Sequence, residues 1–167
     1  MGRHYTSEDL YRLFDQIRSK APDAALRTAI IVGFPGETDK DFKRLLAFVQ
    51  DIRFDNLGVF IYSDAEDISS HKLSGHIRKD VATERYDRLM SLQQKISLIN
   101  NRNHIGKTYE VLVEESLDNN RYRGRTFFQA PEVDGITDIH SANLHIGSFI
   151  HVRIEENSEY DLEGKAV

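Results

Sequence analysis

RTAIIVGFPGETDKDF, residues 27–42, passes from an apolar run through a Gly-Phe-Pro-Gly turn into an acidic helix start. The run LRTAIIV (26–32) carries apolar residues at successive positions, which predicts a short strand buried on both faces. Thr38 followed by Asp41 is the signature of a capping box, and Phe42, Leu45, Leu46, Val49 and Ile52 then recur at helical spacing. Gly33 and Gly36 flank Phe34-Pro35 at the C-terminal end of the strand, the edge at which α/β sheets receive ligands. Glycine there admits a positive φ and lets a flat ligand approach the main chain, so the backbone amides of Ile31 to Phe34 are candidates for reading an adenine edge. A turn that needs glycine for its geometry alone is the alternative. No Gly-Lys-Ser/Thr follows, so the turn is not a phosphate loop.

On the N-terminal side, Thr6 and Asp9 repeat the capping signature, with Leu10, Leu13, Phe14 and Ile17 on one helical face and Pro22 stopping the helix. On the C-terminal side, LGVFIY (57–62) reads as a second apolar strand. A polar loop through Asp80 leads to a long helix over 82–102, with Tyr86, Leu89, Met90, Gln93 and Ile96 inward. Strands alternating with helices predict a parallel sheet with crossover connections. Two strands do not complete such a sheet, so further strands are expected to precede Met1.

After Gly106 the period falls to two. YEVLVEE (109–115), RYRGRTFF (121–128) and SFIHVRIEE (148–156) alternate, the last with Ile150, Val152 and Ile154 on one face. About five short strands in this span predict a small antiparallel barrel of the oligonucleotide- or oligosaccharide-binding type. The expected organisation is an α/β portion over 1–104 and an all-β barrel over 105–167.

The chain has no cysteine, which excludes disulfides, thiolate nucleophiles and cysteine-held clusters within these residues. It has neither an apolar run long enough for a membrane span nor a basic-then-apolar leader, so a cytoplasmic location without membrane contact is expected. Charge is uneven: residues 1–106 hold 16 Lys/Arg against 15 Asp/Glu, whereas residues 107–167 hold 6 against 12. The barrel is the acidic part.

In order along the chain, MGRHYT, LRTAIIVGFPGETDKDF, FDNLGVFIYSDAE, RLMSLQQKIS, IGKTYEVLVEE, GRTFFQAPEVDG and EYDLEGKAV together resemble the C-terminal portion of the ribosomal-protein aspartate methylthiotransferases. These are radical S-adenosylmethionine enzymes that end in a TRAM domain, and tRNA methylthiotransferases share the architecture. The resemblance implies a partial radical-SAM TIM-like barrel followed by TRAM. It also implies S-adenosyl-L-methionine and two [4Fe–4S] clusters, one held by three cysteines of an N-terminal domain and one by a CxxxCxxC motif early in the barrel. The implied reaction cleaves S-adenosylmethionine to a 5′-deoxyadenosyl radical, abstracts hydrogen from the β-carbon of an aspartate in a small-subunit ribosomal protein, and installs a methylthio group there. Both cysteine sets would lie upstream, so no catalytic residue is assigned here and this chain by itself is expected to be inactive.

By the same resemblance, Ile31, Val32, Gly33, Phe34 and Pro35 match the strand and turn that pack on the adenine. Phe60 to Ser63, including Tyr62, match the final barrel strand beside it. Arg3 and Arg27 are candidates for the methionine carboxylate, with a surface ion pair as the alternative for each. The chain departs from the family at Ala65-Glu66-Asp67-Ile68-Ser69, where EEGT is usual, and at Glu163, where a tryptophan often follows YDL.

Other constellations are weaker. His71 and His76, like His140 and His145, are five apart, which does not place both rings on one helical face, and no metal site within the chain is expected. Glu37 reads as a helix-start charge. APEVDG (130–135) is a turn former, and Glu132 and Asp134 are also candidates for an acidic docking patch with Asp138. Arg121, Arg123 and Arg125 share a face and either contact RNA or neutralise that patch. Arg125, Glu132 and Asp134 are the candidate substrate-docking residues. An acidic barrel suits a basic ribosomal protein or the ribosome better than tRNA. A TRAM-bearing binding module without catalysis is the alternative of another class.

Overall fold

Reciprocal caps start the first two helices. The computed structural model describes residues 4–118 and 120–167, and in it the Thr6 amide donates to Asp9 Oδ2 (2.9 Å) while the Asp9 amide donates to Thr6 Oγ1 (3.3 Å). This opens helix α1, Ser7–Lys20. Thr38 and Asp41 make the same pair (3.1 and 3.2 Å) ahead of α2, Asp39–Ile52. Each box satisfies amides that a helix start otherwise leaves unpaired. Strands β1 (Arg27–Val32) and β2 (Asn56–Ile61) pair in parallel, from Arg27 opposite Asn56 to Val32 opposite Ile61. They lie in the first of two compact units, Met1–Met90.

The core of this unit lies on one face of the two strands. Val32, Leu57 and Val59 are buried with Phe42, Val49, Ile52 and Phe54, and Phe14 sets its ring edge-on to Phe54 at 5.1 Å. The other face is open: Ala29 and Gly58 lie opposite each other, then Ile31 and Phe60, and the last two are 43% and 58% exposed. The strands are therefore not buried on both faces, as their composition suggests. Their apolar residues alternate between a covered face and a bare one, because the side chains of a strand point to opposite sides. Leu13, expected on the inner stripe of α1, is also largely exposed.

Helix α3, Lys79–Arg102, starts before its expected limit and runs past the boundary between the units. In the second unit, Ser91–Val167, strands β3 (Thr108–Asp118), β4 (Arg121–Thr126), β5 (Thr137–His140), β6 (Phe149–Asn157) and β7 (Leu162–Ala166) close a barrel in the order β3-β4-β5-β7-β6. Its core is Val111, Val113, Tyr122, Ile139, Val152, Ile154 and Leu162. The barrel is mixed rather than wholly antiparallel, since β5 and β7 run parallel, Thr137 opposite Leu162 and His140 opposite Lys165. A closed ring with an odd number of strands cannot alternate direction at every neighbour, so one parallel pair is unavoidable. It falls on β7, which turns back antiparallel on β6 and closes the ring against β5. Among the described residues no helix is long and apolar enough to cross a membrane.

Candidate functional site

At the C-terminal end of β1 the chain turns sharply. Gly33 and Gly36 take φ of +76° and +85°, values that side-chain-bearing residues rarely adopt. Gly33 is also crowded: a Cβ there would stand 2.7 Å from Ala82 Cβ on α3. The Tyr62 amide donates to the Val32 carbonyl (2.8 Å), extending the parallel ladder past β2. Phe34 and Tyr62 meet edge to face, ring centroids 5.2 Å apart. The structure thus brings together Ile31 to Pro35 with Phe60 and Tyr62, with Ser63 next in the chain. Ile31 and Phe60 stand in register on the bare face, one residue short of the strand ends.

Glu37 has a more specific part than a helix-start charge. The Gly33 amide donates to Glu37 Oε2 (3.0 Å), and Arg85 Nη1 donates to Glu37 Oε1 (2.8 Å). Arg85 is 5% exposed. It also bonds the Glu37 carbonyl (3.3 Å) and Asp39 Oδ1 (2.7 Å), and its guanidinium lies 5.6 Å from the Phe42 ring centroid. A buried arginine of this kind is tolerated because its charge and donors are matched. One candidate for reading a purine edge is removed by this arrangement, since the Gly33 amide is committed to a carboxylate. Arg85 was absent from the sequence-derived candidates, for it lies 48 residues from Glu37 and amid other charged residues of α3.

The loop after β2 folds back on the turn: the Gly36 amide donates to the Gly75 carbonyl (2.9 Å). Within it the Tyr62 hydroxyl is hydrogen-bonded to Asp64 (3.1 Å) and Ser70 (2.9 Å). Asp64 Oδ2 lies 3.0 Å from His71 Nδ1 and 3.6 Å from His76 Nδ1. Partial desolvation pushes the Asp64 pKa up, but hydrogen bonds from His71 and Tyr62 outweigh it and hold the carboxyl below its ordinary range. The loop, not a helical repeat, gathers the two histidines, so their spacing held no signal of it. Among the described residues no group of three side chains suits a metal ion.

Other candidate residues lie apart from the turn. Arg27 begins β1, at the opposite end of the strand and roughly 17 Å away along it, and Arg3 lies outside the described residues. In the barrel, Arg121 pairs with Asp118 (2.9 Å), Arg123 with Glu115 (3.3 Å) and Asp138 (3.5 Å), and Arg125 with Glu114 (2.7 Å). Glu132 is exposed in a left-handed turn at φ +62°. Asp134 closes that turn, its carboxylate accepting from the Ala130 amide at 2.7 Å.

Fit to the implied cofactors differs between them. An apolar step of Ile31 and Phe60 at the strand ends, next to the Phe34–Tyr62 pair, suits the flat ring of a nucleoside. Iron–sulfur clusters do not fit here, because the chain holds no cysteine.

Known proteins resemble both parts of the chain. Residues 105–167 match the TRAM domain family. Over 165 residues the chain is 50% identical to the ribosomal protein uS12 methylthiotransferase RimO of Clostridioides difficile (strain 630), covering 98% of this chain and 37% of that protein. It is 48% identical to RimO of Desulfosudis oleivorans over 99% of this chain and 38% of the relative. Against RimO of Heliobacterium modesticaldum it is 45% identical over its full length and 36% of the relative. The chain therefore spans less than two fifths of the length of the relatives it matches.

Proposed function

We propose that this chain, which matches RimO methylthiotransferases along nearly its whole length, is the C-terminal part of a radical-SAM enzyme that adds a methylthio group to the β-carbon of an aspartate in ribosomal protein uS12. In this reading β1 and β2 are strands of a larger α/β barrel, helices cover their outer face, and the bare face of Ala29, Ile31, Gly58 and Phe60 lines its interior. The observation that carries the reading is that bare apolar face, ending in the glycine turn at the C-terminal edge of two parallel strands. That edge is where barrels of this class build their sites.

S-adenosyl-L-methionine, when bound, supplies the methyl group and the radical precursor. This chain's residues bind and orient its nucleoside: Ile31 and Phe60 bury a ring face, while Phe34 and Tyr62 wall the site at the turn. The two [4Fe–4S] clusters would be held by residues outside this chain. The TRAM barrel captures substrate. Its arginines 121, 123 and 125 are each engaged by acidic neighbours, and a net-acidic barrel with its arginines so occupied favours a basic protein over a polyphosphate.

The test is the full-length protein with S-adenosylmethionine, a reductant and a sulfide source, offered uS12, intact ribosomal subunits and tRNA in parallel. Mass spectrometry should find one methylthio group on a uS12 aspartate. Modification of tRNA instead, or of neither, would refute the proposal.

A further inference from the structure

Glu37 and Arg85 belong to no candidate set in the sequence, yet among the described residues they form the most enclosed ion pair of the first unit, with side chains 12% and 6% exposed. The two oxygens of Glu37 have different partners, one taking the Gly33 amide (3.0 Å) and the other the Arg85 guanidinium (2.8 Å). Arg85 in turn holds the Glu37 carbonyl and Asp39. Three residues earlier on the same face of α3, Ala82 occupies the space that a Gly33 side chain would need. The stretch from Gly33 to Asp39 is thus clasped to α3 by contact at one end and charge at the other.

We propose that Glu37 and Arg85 are positioning residues for the nucleoside site. By fixing the Gly33 amide, Glu37 sets the peptide plane between Val32 and Gly33. That plane also carries the Val32 carbonyl bonded to the Tyr62 amide, so it determines where Phe34 and Tyr62 stand relative to Ile31 and Phe60. Arg85 holds the carboxylate in place and neutralises it. The inference rests on the proposed S-adenosylmethionine site and adds residues that touch no cofactor.

The experiment uses full-length protein and three readouts: S-adenosyl-L-methionine affinity by equilibrium dialysis, hydrogen exchange at the Gly33 amide, and thermal unfolding. Glu37→Ala should weaken binding by about tenfold and speed exchange at Gly33. Glu37→Gln keeps an acceptor for Gly33, and Asp39 still compensates Arg85. This variant should fold and weaken binding by about threefold, so it carries the test if the alanine variant is unstable. Arg85→Lys, which keeps the charge but not the forked geometry, should fall between the two. Binding within about twofold of the parent in both Glu37 variants, with exchange at Gly33 accelerated, would overturn the positioning role while leaving the site intact. A parent protein that does not bind S-adenosylmethionine would overturn the site itself, and the inference with it.

Discussion

Gly33 is constrained twice, by its positive φ and by Ala82, whereas Gly36 has the φ alone and nothing within 4 Å of an added Cβ. The pair separates backbone strain from crowding. Gly36→Ala should destabilise by about 1 kcal/mol and Gly33→Ala by about 3 kcal/mol, as overpacking adds to strain. Denaturant titration measures both. Adding Ala82→Gly to Gly33→Ala should recover the crowding share and leave the strain. Equal losses at the two glycines would show that α3 does not press on the turn.

Among the elements, α2 depends on its cap. Hydrogen bonds from the side chain and then the backbone of Thr38 hold the Asp41 carboxyl below its ordinary range. Because the folded pKa is depressed, the stabilisation is complete above the unfolded value and is lost as pH falls through the folded one. Thr38→Ala should cost about 1 kcal/mol near neutrality, and less in acid, where the parent has already lost the contribution. Urea titrations at about pH 6 and about pH 3 test this; an unchanged cost in acid would contradict it. In the barrel, Ile139 on β5 is completely buried in the core and belongs to the strand that meets β7 in parallel. Ile139→Ala should cost about 3 kcal/mol. Retention of the parent's unfolding midpoint would mean that the β5–β7 seam is not part of the cooperative core.

At the scale of the whole molecule, the bare sheet face has the largest consequence. Ile31 and Phe60 present apolar surface beside strands that pair only with each other among the described residues. Such surfaces and unpaired edges promote association. The 167-residue chain should form concentration-dependent oligomers in sedimentation velocity, and Ile31→Ser with Phe60→Ser should reduce them. Monodisperse behaviour at high concentration would indicate that this face is not adhesive. Much of the architecture was legible beforehand, since both capping boxes, the two strands and the change of period near Gly106 all depend on neighbours a few residues apart. The one-sided burial of β1 was not, because Ala29-Ile30-Ile31-Val32 is apolar throughout and only packing assigns each side chain to a face.

By itself the sequence determined where α1 and α2 begin, where β1 and β2 run, which turn bears glycines, and that no cysteine-held cluster lies in these residues. These are properties of local spacing and composition. Only the tertiary structure decided that Glu37 answers to Arg85, that Asp64 gathers two histidines, and that one barrel seam is parallel. The first joins residues 48 apart in the chain, the second depends on the path of an irregular loop, and the third follows from closing a ring; local periodicity contains none of these.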